Sequence, residues 1–333
     1  MKGFRLPSLL LILLITALVS IALGSVRINV ITIMRVLFDT HYHNAAQEAI
    51  ILKIRLPRVL LAMMVGGCLA TSGCIMQGLF RNPMADPFIL GVSSGAGVGA
   101  AVAIVSGLAF ASIYFVPLLA FFFSTTTIFA VYTIARTNGT MSVETLLLSG
   151  IAMSTFLSAV LSFLIYISEK WLHSLYFWLM GGFGTASWTY VFLLLPFTGC
   201  GIMVSLLFSR DLNAILLGEE TAQHLGVEVD AVKKILVVVT SLMTGAAVSV
   251  SGIIGFVGLV VPHMVRIIVG PDHRVLLPSS AIFGGIFMIW ADNVARTIIS
   301  PSELPVGVVT AFFGAPFFIY LLRRKRGDMF AKG

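Results

Sequence analysis

Arg210–Lys234, RDLNAILLGEETAQHLGVEVDAVKK, is an island of charge and helix-forming residues inside an otherwise apolar sequence. Asp211, Glu219, Glu220, Glu228 and Asp230 place five of the chain's 14 carboxylates within it. Hydrocarbon does not solvate such a segment, so water or another protein must meet it. Outward from the island in both directions, apolar runs of about 18 residues recur, each long enough to cross a hydrocarbon core of about 30 Å. With 58% hydrophobic and 11% charged residues and a mean hydropathy of +1.03, the chain departs from soluble domains, in which about a quarter of residues are charged. The reading is an all-α, polytopic integral membrane protein in the lipid bilayer.

The balance of +7 is no nucleic-acid signature, because the basic residues lie in short flanks between apolar runs, where they orient helices in a bilayer. Cys68, Cys74 and Cys200 all fall inside apolar stretches and give neither a disulfide framework nor metal-ligand spacing.

About ten spans are expected: 6–24, 57–79, one beginning just after Pro87, 114–135, 143–167, 189–208, 235–250, 253–269, 275–298 and 306–322. The second carries Gly66, Ala70, Gly73 and Gln77 on one face, and the third carries Gly91, Gly95 and Gly99, stripes that let helices approach closely. The eighth contains Gly255, Gly258 and Pro262 and is expected to be broken. The segment 25–55 is expected outside, with a surface helix in INVITIMRVLFD; 169–188 is also outside, an aromatic belt with Trp171, Tyr176, Phe177, Trp178 and Trp188.

With both termini in the cytoplasm, 14 of the 21 lysines and arginines lie inside and seven outside, the bias expected of a membrane protein. The exceptions cluster: Lys53, Arg55 and Arg58 open the second span and Arg296 closes the ninth, all on the outer face. They either snorkel to headgroups or dock an acidic partner.

Catalysis would need acids, bases or metal ligands facing a cavity. His41, His43, His173, His224, His263 and His273 have no metal-site spacing backed by a second ligand pair. Ion-coupled transport would need an intramembrane titratable group, and only Asp292 is placed for that. It stands four residues before Arg296, one helical turn, so an internal ion pair is the simpler account. The chain therefore reads as a transporter without an energy source of its own, not an enzyme, with no cofactor. The island is where a partner would supply energy. Leu212, Ile215 and Leu216 are helix-spaced up to Gly218, and Ala222 with Leu225 continue to Gly226, predicting two short helices bent at a glycine that project Glu219 and Glu220 to solvent.

RLPRVLLAMMVGG at 55–67 with Gln77, RNPMADP at 81–87, LLLSG at 146–150 and LGVEVD at 225–230 carry a family resemblance. So do SGIIGFVGLVVPHMVRIIVGPDHR at 251–274 and ELPVGVVTAFFGAPFFIYLL at 303–322. In order and over nearly the whole chain, they resemble the permease subunits of binding-protein-dependent ABC importers for iron-siderophore complexes, haem and cobalamin. The resemblance implies one transmembrane domain over 1–333, with spans two to five related to spans seven to ten by an inverted repeat. It implies a second copy of the chain, two ATP-binding cassette ATPase subunits and an extracytoplasmic substrate-binding protein, in a prokaryotic cytoplasmic membrane.

By residue, the resemblance implies ATPase coupling through helices at about 211–230: Asp211, Leu212, Asn213, Leu216, Gly218, Glu219, Glu220, Ala222, Leu225 and Gly226. Arg55, Arg58 and Arg296 match positions that meet glutamates of the binding protein, for which the planar guanidinium fork is suited. Asn82 and Met84, with Met141 and Ser142, match cytoplasmic gate segments, Met84 standing where many members have leucine. The expected cargo is a metal chelate, an iron-siderophore first, then cobalamin or haem. The alternative is an ion-coupled secondary transporter or a gated channel.

Overall fold

The structure is a computed structural model that describes residues 6–24, 28–38, 44–137 and 140–330, with side chains described up to residue 319 and not for Thr137, Thr140 and Met141. Lys2, Arg5, Arg27, His41 and His43 lie outside these residues, as do the side chains of the basic tail at 323–326.

In chain order the helices are α1 (Leu6–Ala22), α2 (Val30–Phe38), α3 (Ala45–Glu48), α4 (Leu56–Leu79), α5 (Val92–Val105), α6 (Leu108–Ala111), α7 (Phe115–Ala135) and α8 (Val143–Ile167). They continue with α9 (Leu172–Met180), α10 (Trp188–Leu207), α11 (Ser209–Leu216), α12 (Glu219–His224), α13 (Val229–Ser251), α14 (Val257–Val269), α15 (His273–Thr297) and α16 (Val306–Phe330). A two-residue antiparallel ladder, Arg136–Thr137 with Thr140–Met141, joins α7 to α8. Among the described residues, six helical segments are long and apolar enough to cross a membrane, and four shorter apolar helices accompany them.

The predicted surface helix exists as α2, with Ile33 buried, but 25–55 is not wholly a surface segment. Ala45 to Leu79 is continuous helix. Near its start, Ala49–Arg55 is wound as a π-helix, and Leu56 N–H reaches Ile51 O. Pro57 follows at the start of α4 and has no N–H to give, so the wider turn accommodates it.

α4 is the axial helix, buried over most of its length against α15, α13, α14 and α10. Its small-residue face makes those contacts: a side chain on Gly66 would strike the backbone of Gly284 in α15, and one on Gly73 the backbone of Gly258 in α14. Gln77 Nε2 donates to the carbonyls of Gly258 and Leu259 at 3.3 and 3.1 Å. In the third expected span, Gly95 and Gly99 do pack on α7, but Gly91 precedes the helix at φ +81°. α13 packs on α7 and α5 much as α4 packs on α15 and α14.

The eighth expected span is broken, though not at Pro262, which lies within α14. The unwound segment is 252–256, with Gly252 at φ +70° and Phe256 at φ +68°. Non-helical backbone is tolerated at such depth only where protein satisfies it. Here Gly182 N–H donates to Ser251 O at 2.8 Å, and Gly181 packs on Ile253 O. The aromatic segment 169–188 is correspondingly not a simple surface belt: α9 buries Leu175 and lies against α5 and α16.

Candidate functional site

Two polar poles close the bundle, and the predicted site residues divide between them. At the first, α10 turns into α11, whose Leu212 and Ile215 are fully buried, with Leu212 reaching Gly78 near the end of α4. Gly218, at φ +123°, turns the chain into α12, and Gly226, at φ +87°, turns it into α13. The predicted pair of short helices bent at a glycine is present. α13, however, begins at Val229, six residues before the expected start of the seventh span.

Side-chain directions differ from the sequence expectation. Ala222 is buried with Leu212, whereas Leu217 and Leu225 are 69% and 64% exposed beside the exposed Arg210, Glu220, Gln223 and His224. Glu219 is turned back toward the bundle, where it meets the buried Lys233 of α13 at 2.6 Å. Asn213 also faces inward: its Oδ1 accepts from His273 N at 2.9 Å and lies 2.9 Å from His273 Nδ1, while its Nδ2 donates to Asp272 Oδ1 at 2.7 Å. Asp272 caps α15 through Arg274 N at 3.0 Å and pairs with the Arg274 guanidinium at 2.7 Å. Donation from Arg274, helped by Asn213, holds the Asp272 carboxyl well below the usual carboxylate range. Sequence reading missed Leu217, Lys233, Asp272 and His273; only the apolar doublet Leu216–Leu217 carried a local signal.

The segments expected to form a gate lie at this same pole, since they follow α4 and precede α8. Asn82 Oδ1 accepts from Met84 N at 2.9 Å, a local turn that leaves both residues exposed. Asp86 caps the next turn through Phe88 N at 2.8 Å, and burial pushes its carboxyl up to about 6. Ser142 caps α8 through Thr145 N at 3.1 Å. Met141 pairs with Arg136 in the short ladder, its side chain lying outside the described residues.

At the opposite pole the three predicted arginines come together and face inward. Arg55 Nη1 donates to the carbonyls of Ile21 and Ala22 at 2.6 and 3.2 Å, closing the end of α1. Arg58 grips Asp292 with Nε (3.0 Å) and Nη2 (2.8 Å), and Glu303 with Nη1 (3.0 Å) and Nη2 (2.9 Å). Arg296 pairs with Asp292 at 3.2 Å, the one-turn pair expected from the sequence, and its Nη2 also reaches Ser20 and Asn293. A cavity of about 490 Å3 opens beside them, with Arg58, Glu303, His173, Trp178 and Tyr190 in its wall. Among the described residues, no three of His, Cys, Asp and Glu are grouped to hold a metal ion.

An apolar helical bundle with a projecting helix pair at one pole and an ion cluster at the other is the build of a polytopic membrane permease. Residues 11–324 match the model of the FecCD transport family, and the chain belongs to it. It is 51% identical to the cobalamin import system permease protein BtuC of Halobacterium salinarum, over 83% of this chain and 74% of that one. It is 41% identical to the hemin transport system permease protein HmuU of Yersinia pestis, over 98% of both. A solved chain described as a metal-chelate type ABC transporter in an inward-facing conformation superposes with a TM-score of 0.86 at 34% identity, covering 96% of this chain and 98% of that one.

Proposed function

We propose that this chain is the membrane-spanning subunit of a binding-protein-dependent ABC importer for a metal chelate. Two copies flank a central path, two ATPase subunits supply energy, and a substrate-binding protein delivers cargo from outside. The family match over residues 11–324 carries this reading. The island pole is assigned to the cytoplasm, both termini with it, in a prokaryotic cytoplasmic membrane. The six long and four shorter apolar helices supply ten spans, all within one transmembrane domain. The exchanged packing, α4 on α15 and α14 against α13 on α7 and α5, supports an inverted repeat of spans two to five and seven to ten.

In this reading Leu217, Leu225, Glu220 and their neighbours form the face of α11 and α12 that enters the ATPase subunit. Asn213, Glu219 and the buried Leu212 and Ala222 fasten those helices to the bundle, so that ATPase motion reaches α13 and α15. Asn82, Met84, Met141 and Ser142 stand at the cytoplasmic gate. Arg55, Arg58 and Arg296 form the outer docking cluster. The cargo, expected from sequence to be an iron-siderophore, is equally served by cobalamin or haem; the 51% identity to a cobalamin permease makes cobalamin the first to test.

Reconstituted into liposomes with its ATPase subunits and binding protein, the chain is expected to take up chelate only when ATP is hydrolysed. Uptake by the isolated chain down an ion gradient would overturn the reading in favour of a secondary transporter or channel. Cobalamin, haem and a ferric siderophore assayed side by side identify the cargo.

A further inference from the structure

The fork of Arg58 is already full. Asp292 and Glu303 together take its Nε, Nη1 and Nη2 at 2.8–3.2 Å, and Arg58 itself is about one-tenth exposed. The two carboxylates are not equivalent. Asp292 is 1% exposed and shared with Arg296, whereas Glu303 is 44% exposed on the short connector between α15 and α16. A carboxylate arriving from solvent can therefore reach Arg58 only where Glu303 now sits.

We propose that Glu303 is an exchangeable counter-ion: it holds Arg58 in the free permease and is displaced by a carboxylate of the docking protein. This rests on the docking role proposed above for the arginine cluster. Exchange solves an energetic problem: with Glu303 gone the buried Arg58 keeps Asp292 but loses the acceptor of Nη1, and swapping one carboxylate for another keeps the whole fork satisfied. The cavity beside Arg58 and Glu303 offers room for the displaced side chain, with His173 and Ser174 in its wall.

Displacement also has a structural consequence. Leu304 N–H donates to Ala295 O at 2.9 Å, and Gly307 packs on the carbonyls of Met180 and Ile253. The Glu303 connector thus leads directly onto the start of α16 and the unwound segment 252–256. Docking would be registered inside the bundle through a bond already present in it.

The test uses the complex of permease and ATPase subunits in nanodiscs, titrated with the chelate-binding protein of the same organism. Glu303→Gln removes the internal competitor and is expected to tighten docking about fivefold, while Glu303→Asp stays within about twofold of native. On an otherwise native chain carrying Cys200→Ala, a spin label at Ser302→Cys is expected to gain mobility when the binding protein docks. Unchanged or weakened docking by Glu303→Gln, or an immobile label, overturns the exchange. If Arg58→Glu also leaves docking unchanged, the docking role of the cluster falls with it.

Discussion

The two poles handle charge in opposite ways. At the island pole, Arg210, Glu220, Glu228, Asp230 and Lys234 stand exposed, and the pairs there, Glu219–Lys233 and Asp272–Arg274, each keep a partly solvated carboxylate. At the arginine pole, Arg58, Asp292 and Arg296 are withdrawn from solvent and paired with one another. Exposed charge is cheap to hold and free to meet a partner, so the island pole can present a surface without rearranging. Buried charge is stable only while every partner stays in place. A docking surface built from it must exchange partners rather than add them.

Thermal unfolding of the purified chain can break this contrast. Arg58→Ala leaves Asp292 buried with one partner instead of two and is expected to cost about 3–5 kcal/mol; a loss below 1 kcal/mol would mean the cluster is solvated like the other pole. Asn213→Ala, which removes the acceptor of the fully buried His273, is expected to cost about 1–3 kcal/mol. It should also lower the ATP-driven uptake obtained per ATP hydrolysed, and an unchanged ratio would remove Asn213 from the path between α11 and α15. The smallest effect on stability is expected from Leu217→Glu with Leu225→Glu, about 0.5 kcal/mol or less, because both side chains already face solvent. The same double variant should fail to copurify with the ATPase subunits. Retention of the ATPase would place the coupling face elsewhere.

Helix positions were legible because each apolar run carries its own boundary signals: α8 spans Val143–Ile167, the bounds expected from sequence, and Ser142 caps it. The close-packing stripe of α4 was legible too, since Gly66, Ala70 and Gly73 share one face at intervals of four and three residues. Side-chain direction in the island was not. Helices of eight and six residues give periodicity too few turns to separate Leu216 from Leu217, and Lys233, the partner of Glu219, lies in the next helix. The unwound segment was half legible: its glycines announced a break. Pro262 gave no sign of where the break falls: it sits at the sixth position of α14, and the Gly258 carbonyl that its missing N–H leaves free is taken by Gln77 Nε2 at 3.3 Å. The Asp292–Arg296 pair could be read as neighbours on one turn. The hold of Arg58 on Asp292 and Glu303 could not, since those partners lie 234 and 245 residues away.

That separation matters to the order of synthesis. Arg58 is made and threaded at the start of α4 long before the ribosome reaches Asp292 near the end of α15. Until α15 arrives, the guanidinium has neither of its carboxylates. The arrival of α15 closes the Arg58–Asp292 bond at one pole and brings His273 beside Gly78 of α4 at the other. Pairing of those two helices therefore comes late in synthesis. A chain that stops short of α15 carries Arg58 without either of its carboxylates.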